Sequence, residues 1–169
     1  MAAIDARKPG ECAIIDFDDA RTMSVSFANE MRDARTLLQA IATFHPNRSP
    51  GTAEGNAWLD LDDLVRALAD SDAASDDAAR ALLGVFERFP RHDGFEVFWT
   101  LLHHVEALPG YETELIASVR RVPNLMGLTM MRRLFDSGVA RIDGVDVAAL
   151  LRELTPQAPA IDFFVPPLA

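Results

Sequence analysis

The stretch that decides the fold runs from Gly94 to Pro123 and reads GFEVFWTLLHHVEALPGYETELIASVRRVP. Its apolar residues recur at steps of three and four, so it reads as two helices broken at Pro109-Gly110. Asp93, with Glu96 three residues on, resembles a capping pair and sets the first of these helices at Gly94 to Leu108. Phe95, Phe98, Trp99, Leu101, Leu102 and Val105 cover most of its circumference, the pattern of a central helix buried from several sides. The second helix, Tyr111 to Val122, is stopped by Pro123.

The same periodicity extends outward in both directions. Toward the N-terminus, a helix from Ser75 to Phe89-Pro90 buries Ala79, Leu82, Leu83, Phe86 and Phe89. Another, from Ala57 to Asp70, buries Trp58, Leu61, Val65 and Leu68. The loop from His45 to Gly51 separates it from a first helix over Ser26 to Phe44, whose stripe is Phe27, Met31, Ala34, Leu38 and Ile41. Toward the C-terminus, a helix from Asn124 to Ser137 is closed by Gly138 as a left-handed cap. Asp143 is placed to cap a last helix that ends at Leu154, before Pro156.

Residues 1–24 read as an arm in which Ala13-Ile14-Ile15 forms a short strand or nothing regular. Residues 155–169 read as a Pro-rich tail packed on the helices, because Ile161, Phe163 and Phe164 are costly to leave in water. The expected architecture is all-α, a single domain over 1–169 with about seven helices in antiparallel hairpins. Taken in pairs the helices repeat at about thirty-odd residues, which admits a HEAT-like superhelix or an irregular bundle.

Composition narrows the function classes. The chain has 169 residues, 49% of them hydrophobic, enough to fold and bury a core. No apolar run is long enough for a bilayer, and the first residues lack a signal-peptide layout, so a cytoplasmic location is expected. Cys12 is the only cysteine, which excludes an internal disulfide and a four-cysteine zinc site. Twenty-six acids against sixteen bases give a net charge of −10, with a pI of about 4.7. Such a field repels nucleic acid and anionic membrane and attracts basic partners, so neither direct nucleic-acid nor membrane binding is expected.

His103 and His104 are adjacent, so on a helix they point about 100° apart and cannot chelate one ion. Glu96 and His103 share a face without an evident third ligand. The acids from Asp70 to Asp77 fail as a calcium loop, since Ser75 and Ala81 stand where glycine and a bidentate acid are required. No glycine-rich phosphate loop, nucleophile elbow or dinucleotide fingerprint occurs. The chain therefore reads as a binding protein with no catalytic residue, metal or cofactor. An enzyme using Glu96, His103 or Glu106 with a metal is the rival that a metal analysis would test.

Two patches carry the binding reading. Asp60, Asp63 and Asp70 lie opposite the buried stripe of their helix, and Asp72, Asp76 and Asp77 extend the patch, in reach of Asp16, Asp18 and Asp19. A solvated face with helix caps accounts for the same acids. Tyr111, Glu112 and Glu114 at the Pro109-Gly110 corner form a second candidate contact. Glu106 stands on an apolar sector between Phe95 and Trp99, where exposure is expected; if buried, it needs a base such as Arg120 or Arg121.

Three segments carry a family resemblance: FWTLLHHVEALPGYE from Phe98 to Glu112, SVRRVP from Ser118 to Pro123, and MMRRLFDSG from Met130 to Gly138. Together, over about the second half of the chain, they resemble cytoplasmic immunity proteins of bacterial polymorphic toxin systems, the kind paired with contact-dependent-inhibition or type VI secreted toxins. The resemblance implies a small, non-enzymatic protein that neutralises a cognate toxin C-terminal domain by stoichiometric occlusion. Many such toxins are nucleases with basic grooves. The family carries no defined binding residues over to this chain. A helical-repeat scaffold or adaptor for a host protein or peptide is the alternative.

Overall fold

Where the apolar stripes are strongest, the chain folds as they dictate. The computed structural model describes residues 34–46, 54–71 and 73–159. The arm 1–24 with Cys12, Ala13-Ile14-Ile15 and Asp16, Asp18 and Asp19, the start of the first helix, Asp72 and the tail from residue 160 lie outside them. Helix α1 covers 34–42 and buries Ala34 and Ile41. Helix α2 (Glu54–Ala69) buries Trp58, Leu61, Val65 and Leu68, and α3 (Ser75–Arg88) buries Ala79, Leu82, Leu83 and Phe86, with Phe89 packed partly against them. Helices α4 (Val97–Ala107), α5 (Tyr111–Arg121), α6 (Leu125–Asp136) and α7 (Val147–Leu154) follow. The fold is all-α, with a minor two-stranded hairpin.

Packing follows a two-row order. Helix α3 packs most extensively on α5, and α2 on α4, while the sequence neighbours α2/α3 and α4/α5 touch far less. Two ion pairs fix the α3–α5 register: Arg80 to Glu114 at 2.6 Å and Arg121 to Glu87 at 2.8 Å. Both span 34 residues, so α3 and α5 run in the same direction with an offset of one helical pair. Helices α2, α4 and α6 form the other row, because α4 contacts both α2 and α6. This is how stacked helical pairs bury faces that a single pair cannot cover, and its offset is the period expected from sequence. Contacts of α6 with α3 as well as with α5 and α7 close the rows into one core.

At the heart of the α2–α4 row the Trp58 indole meets four other rings. His92 stacks on it at 4.6 Å and 30°, and Phe89, Phe44 and Phe98 approach at 5.2, 5.3 and 5.3 Å. Tilted and edge-on contacts of this kind add to plain area burial. One cluster thereby ties the end of α1, the middle of α2, the exit from α3 and the start of α4.

Entry into α4 departs from the expected helix over Gly94 to Leu108. Gly94, Phe95 and Glu96 all have left-handed backbones, with φ of 67°, 46° and 68°, and form a 3-10 turn; the α-helix begins only at Val97. The turn is held by the His92 Nδ1, which accepts the Gly94 N–H at 2.7 Å, and by Asp93, which accepts that of Phe95 at 3.1 Å. Glu96 makes no capping bond, so only the Asp93 half of the expected pair operates. Reversing the hand of three residues turns Phe95 out of the core: it is 54% exposed, and Trp99 is 46% exposed. The remaining stripe of Val97, Phe98, Leu101, Leu102 and Val105 is buried as expected.

The second correction lies after α6. Gly138, at φ 94°, closes that helix as expected, with Val139 N–H bonded back to Leu134. Asp143, however, does not cap α7. It sits with Gly144 in a turn where both residues have positive φ, 49° and 78°, joining strands β1 (Arg141–Ile142) and β2 (Val145–Asp146). Asp-Gly supplies the two left-handed positions that a tight hairpin demands. The α7 cap is Asp146, which accepts the Ala149 N–H at 2.8 Å, while Asp143 accepts the Thr113 hydroxyl at 2.5 Å.

Two substitutions test these assignments by urea unfolding. Gly94→Ala forces a Cβ to within 2.2 Å of the Phe98 ring at a left-handed position, and is expected to cost about 3 kcal/mol; a near-neutral result would reject the turn. Asp146→Ala is expected to cost about 1 kcal/mol through the lost cap, and an unchanged midpoint would return the cap to Asp143.

Candidate interaction site

The anticipated acids divide between the two rows, and the rows treat them differently. On α2, Asp60, Asp63 and Asp70 are exposed and make no ion pair among the described residues. The one base nearby on that helix, Arg66, is engaged by Asp62 at 2.7 Å. On the other row, Asp77 and Glu114 both bind Arg80, at 3.5 and 2.6 Å. The hydrogen bond that Arg80 donates to Glu114, then the charge of that carboxylate, holds the guanidinium above its ordinary pKa; Glu87 does the same for Arg121. Asp76 is exposed in the first turn of α3, Glu112 is partly buried, and Asp72 lies outside the described residues.

Tyr111 is 8% exposed. It is therefore a packed residue of the α4–α5 corner and offers no free ring to a partner. Burial, reinforced by the carboxylates of Glu106 and Glu112, pushes its phenol up to about 12.

Glu106 is not exposed as expected, nor is its partner Arg120 or Arg121. Its side chain is 18% exposed and lies 3.1 Å from Arg133 and 3.6 Å from His103. The row order gives the reason: α4 lies beside α6, which carries Arg133, whereas Arg121 faces Glu87 across α3–α5. Of the two histidines, His103 joins this pair and His104 bonds the Thr100 carbonyl at 2.8 Å, so they diverge. Among the described residues, no three His, Cys, Asp or Glu side chains converge as a metal would need.

A cleft of about 210 Å³ lies between the last turns of α2 and α4, lined by Val65, Leu68, Ala78, Leu82 and Leu108. Its polar groups are committed to the backbone, Ser71 to Leu68 at 2.7 Å and His104 to Thr100. No constellation of nucleophile, base and anion-stabilising donor is assembled there.

Sequence reasoning missed the apolar part of the surface. Leu59, Phe95 and Trp99 are the exposed large apolar side chains among the described residues, Leu59 at 59%. All three belong to the α2–α4 row or the turn leading into it. Leu59 was legible in principle, since it lies off the Trp58 stripe by about 100°. A regular helix from Gly94 conceals Phe95, and Trp99 is concealed by an apolar circumference that gives no single outward face.

Comparison with known proteins matches no family model, no curated protein and no solved structure.

Tyr111 is the chain's one tyrosine, so absorbance at 295 nm follows it alone. Its folded pKa lies above the unfolded value near 10, so its stabilising contribution is complete below pH 10 and is lost as pH rises toward 12. Phenolate should form with a midpoint near 12 while the fold persists, and Tyr111→Phe should remove that part of the alkaline destabilisation. A midpoint near 10 in the folded protein would contradict its burial.

Proposed function

We propose that this chain is an immunity protein that binds and neutralises a cognate secreted toxin by stoichiometric occlusion, acting by contact and not by catalysis. The observation that carries the reading is the unneutralised acidic face of α2: Asp60, Asp63 and Asp70 stand in solvent with no base pairing them among the described residues. Glu114 and Glu87, by contrast, are engaged between helices by Arg80 and Arg121. Charge left over on one face raises the rate of encounter with a basic surface and disfavours acidic ones. A nuclease domain, whose substrate groove is basic, is a fitting target, and a protein covering that groove shuts out its substrate.

The resemblance of the second half of the chain to immunity proteins supports the same reading. No helix among the described residues is long and apolar enough to cross a membrane. The cytoplasm is the compartment where such an inhibitor meets an incoming toxin.

The test is capture of partners by tagged protein from lysate of its own cells, followed by mass spectrometry. One toxin C-terminal domain at equal stoichiometry is expected, released by raised salt and by the triple substitution Asp60→Asn, Asp63→Asn, Asp70→Asn. Charge complementarity at a solvated rim acts mainly on the association rate, so association should slow about tenfold or more between low and physiological salt. Recovery of housekeeping proteins alone would move the assignment to a general adaptor.

A further inference from the structure

Phe95 poses a physical problem that the fold alone does not answer. A phenylalanine at φ 46°, ψ 53° is strained, and its neighbour Glu96 is left-handed too. Strain of this kind ordinarily brings a side chain into better packing. Here it carries an aromatic ring outward, half exposed, with Trp99 half exposed in the first turn of the helix that follows. The Phe95 ring packs edge-on against His92 at 5.4 Å, yet about half of it and of Trp99 stays in solvent, an apolar surface that a further contact would cover.

The charges carried by the same row indicate what covers them. Helix α2 packs against the turn and carries Leu59, Asp60 and Asp63 exposed, while Glu96 is exposed within the turn itself. None of these three carboxylates has an ion pair among the described residues, in a chain of net charge −10. The surface therefore joins aromatic faces to uncompensated negative charge. A guanidinium satisfies both at once, because it stacks on aromatic rings and donates to carboxylates through a planar fork. Lysine, a compact and strongly hydrated charge, answers only the second requirement well.

We infer that Phe95 and Trp99 form the anchor of the binding face, receiving an arginine-bearing segment of a basic partner protein whose charge is met by Asp60, Asp63 and Glu96. The inference rests on the binding reading above and deepens it, placing the contact on the outer face of the α2–α4 row. Interfaces concentrate their energy in such aromatic and arginine contacts, with surrounding charges setting rate and orientation. On the α3–α5 row Asp77, Glu114 and Glu87 are already engaged by Arg80 and Arg121.

The test uses defined probes, an eight-residue arginine peptide and an eight-residue lysine peptide of equal charge, titrated into the full chain by calorimetry at low salt. The arginine peptide is expected to bind about fivefold more tightly. That preference should vanish in Trp99→Ala and in Phe95→Ala, whereas Asp60→Asn with Asp63→Asn should weaken both peptides alike. Both rings lie at the surface, and unchanged thermal unfolding of the variants confirms that the comparison is between folded proteins. Equal affinities, absence of binding, or a preference surviving both ring substitutions would overturn the inference. These outcomes are read without the toxin, so failure here removes the aromatic anchor alone, and failure to recover a toxin removes the neutralisation reading alone.

Discussion

The stacking of His92 on Trp58 holds together two features that would otherwise conflict, a dense aromatic core and a backbone turn of the wrong hand. The imidazole lies against the indole at 4.6 Å, and its Nδ1 accepts the Gly94 N–H at 2.7 Å. The ring is thus fixed by packing on one side and by a backbone bond on the other. Gly94 cannot carry a side chain there, since a Cβ would overlap the Phe98 ring. The left-handed turn, the late start of α4 at Val97 and the outward ring of Phe95 all belong to this arrangement, while Trp99 faces out because the α4 register buries Phe98, Leu101 and Leu102.

The row order determines which charges are available for function. Because α3 and α5 lie alongside one another in the same direction, carboxylates and guanidiniums set 34 residues apart meet and neutralise each other. Exposed pairs of this kind stabilise by little each, about 0–1 kcal/mol. Their larger consequence is electrostatic: they leave the net negative charge of the described surface concentrated on residues without partners, with Asp60, Asp63 and Asp70 foremost. Screening at physiological salt confines the influence of these acids to roughly 8 Å. A partner must therefore approach the α2 side closely, and apolar contact then decides how long it stays.

Much of this was legible in the sequence, and the failures have identifiable causes. The stripes of α2 and α3 are strongly amphipathic, and their buried residues were read correctly from spacing alone; so were the Gly138 cap and the thirty-odd-residue period. Asp143 reads as a helix cap in sequence, although with Gly144 it is a strong hairpin signal; strands of two residues are too short to show alternation. Glu106 was misjudged because spacing within one helix says nothing about which helix lies beside it, and α6 supplies Arg133 from 27 positions away. Phe95 was misjudged because a capping pattern and an apolar run both argued for a regular helix, while the stack that reverses the chain depends on Trp58, far off in sequence. The acids were found, but not which of them the fold would neutralise.

Whether the core keeps Trp58 while the outer face of α4 presents Trp99 is tested most simply by acrylamide quenching of tryptophan emission. The chain has two tryptophans, Trp58 and Trp99. In Trp99→Phe the remaining emission should be blue-shifted and nearly immune to acrylamide, and the component lost from the native protein should be red-shifted and readily quenched. If the substitution removes instead a blue, protected component, Trp99 is buried and the exposed aromatic surface on α4 does not exist.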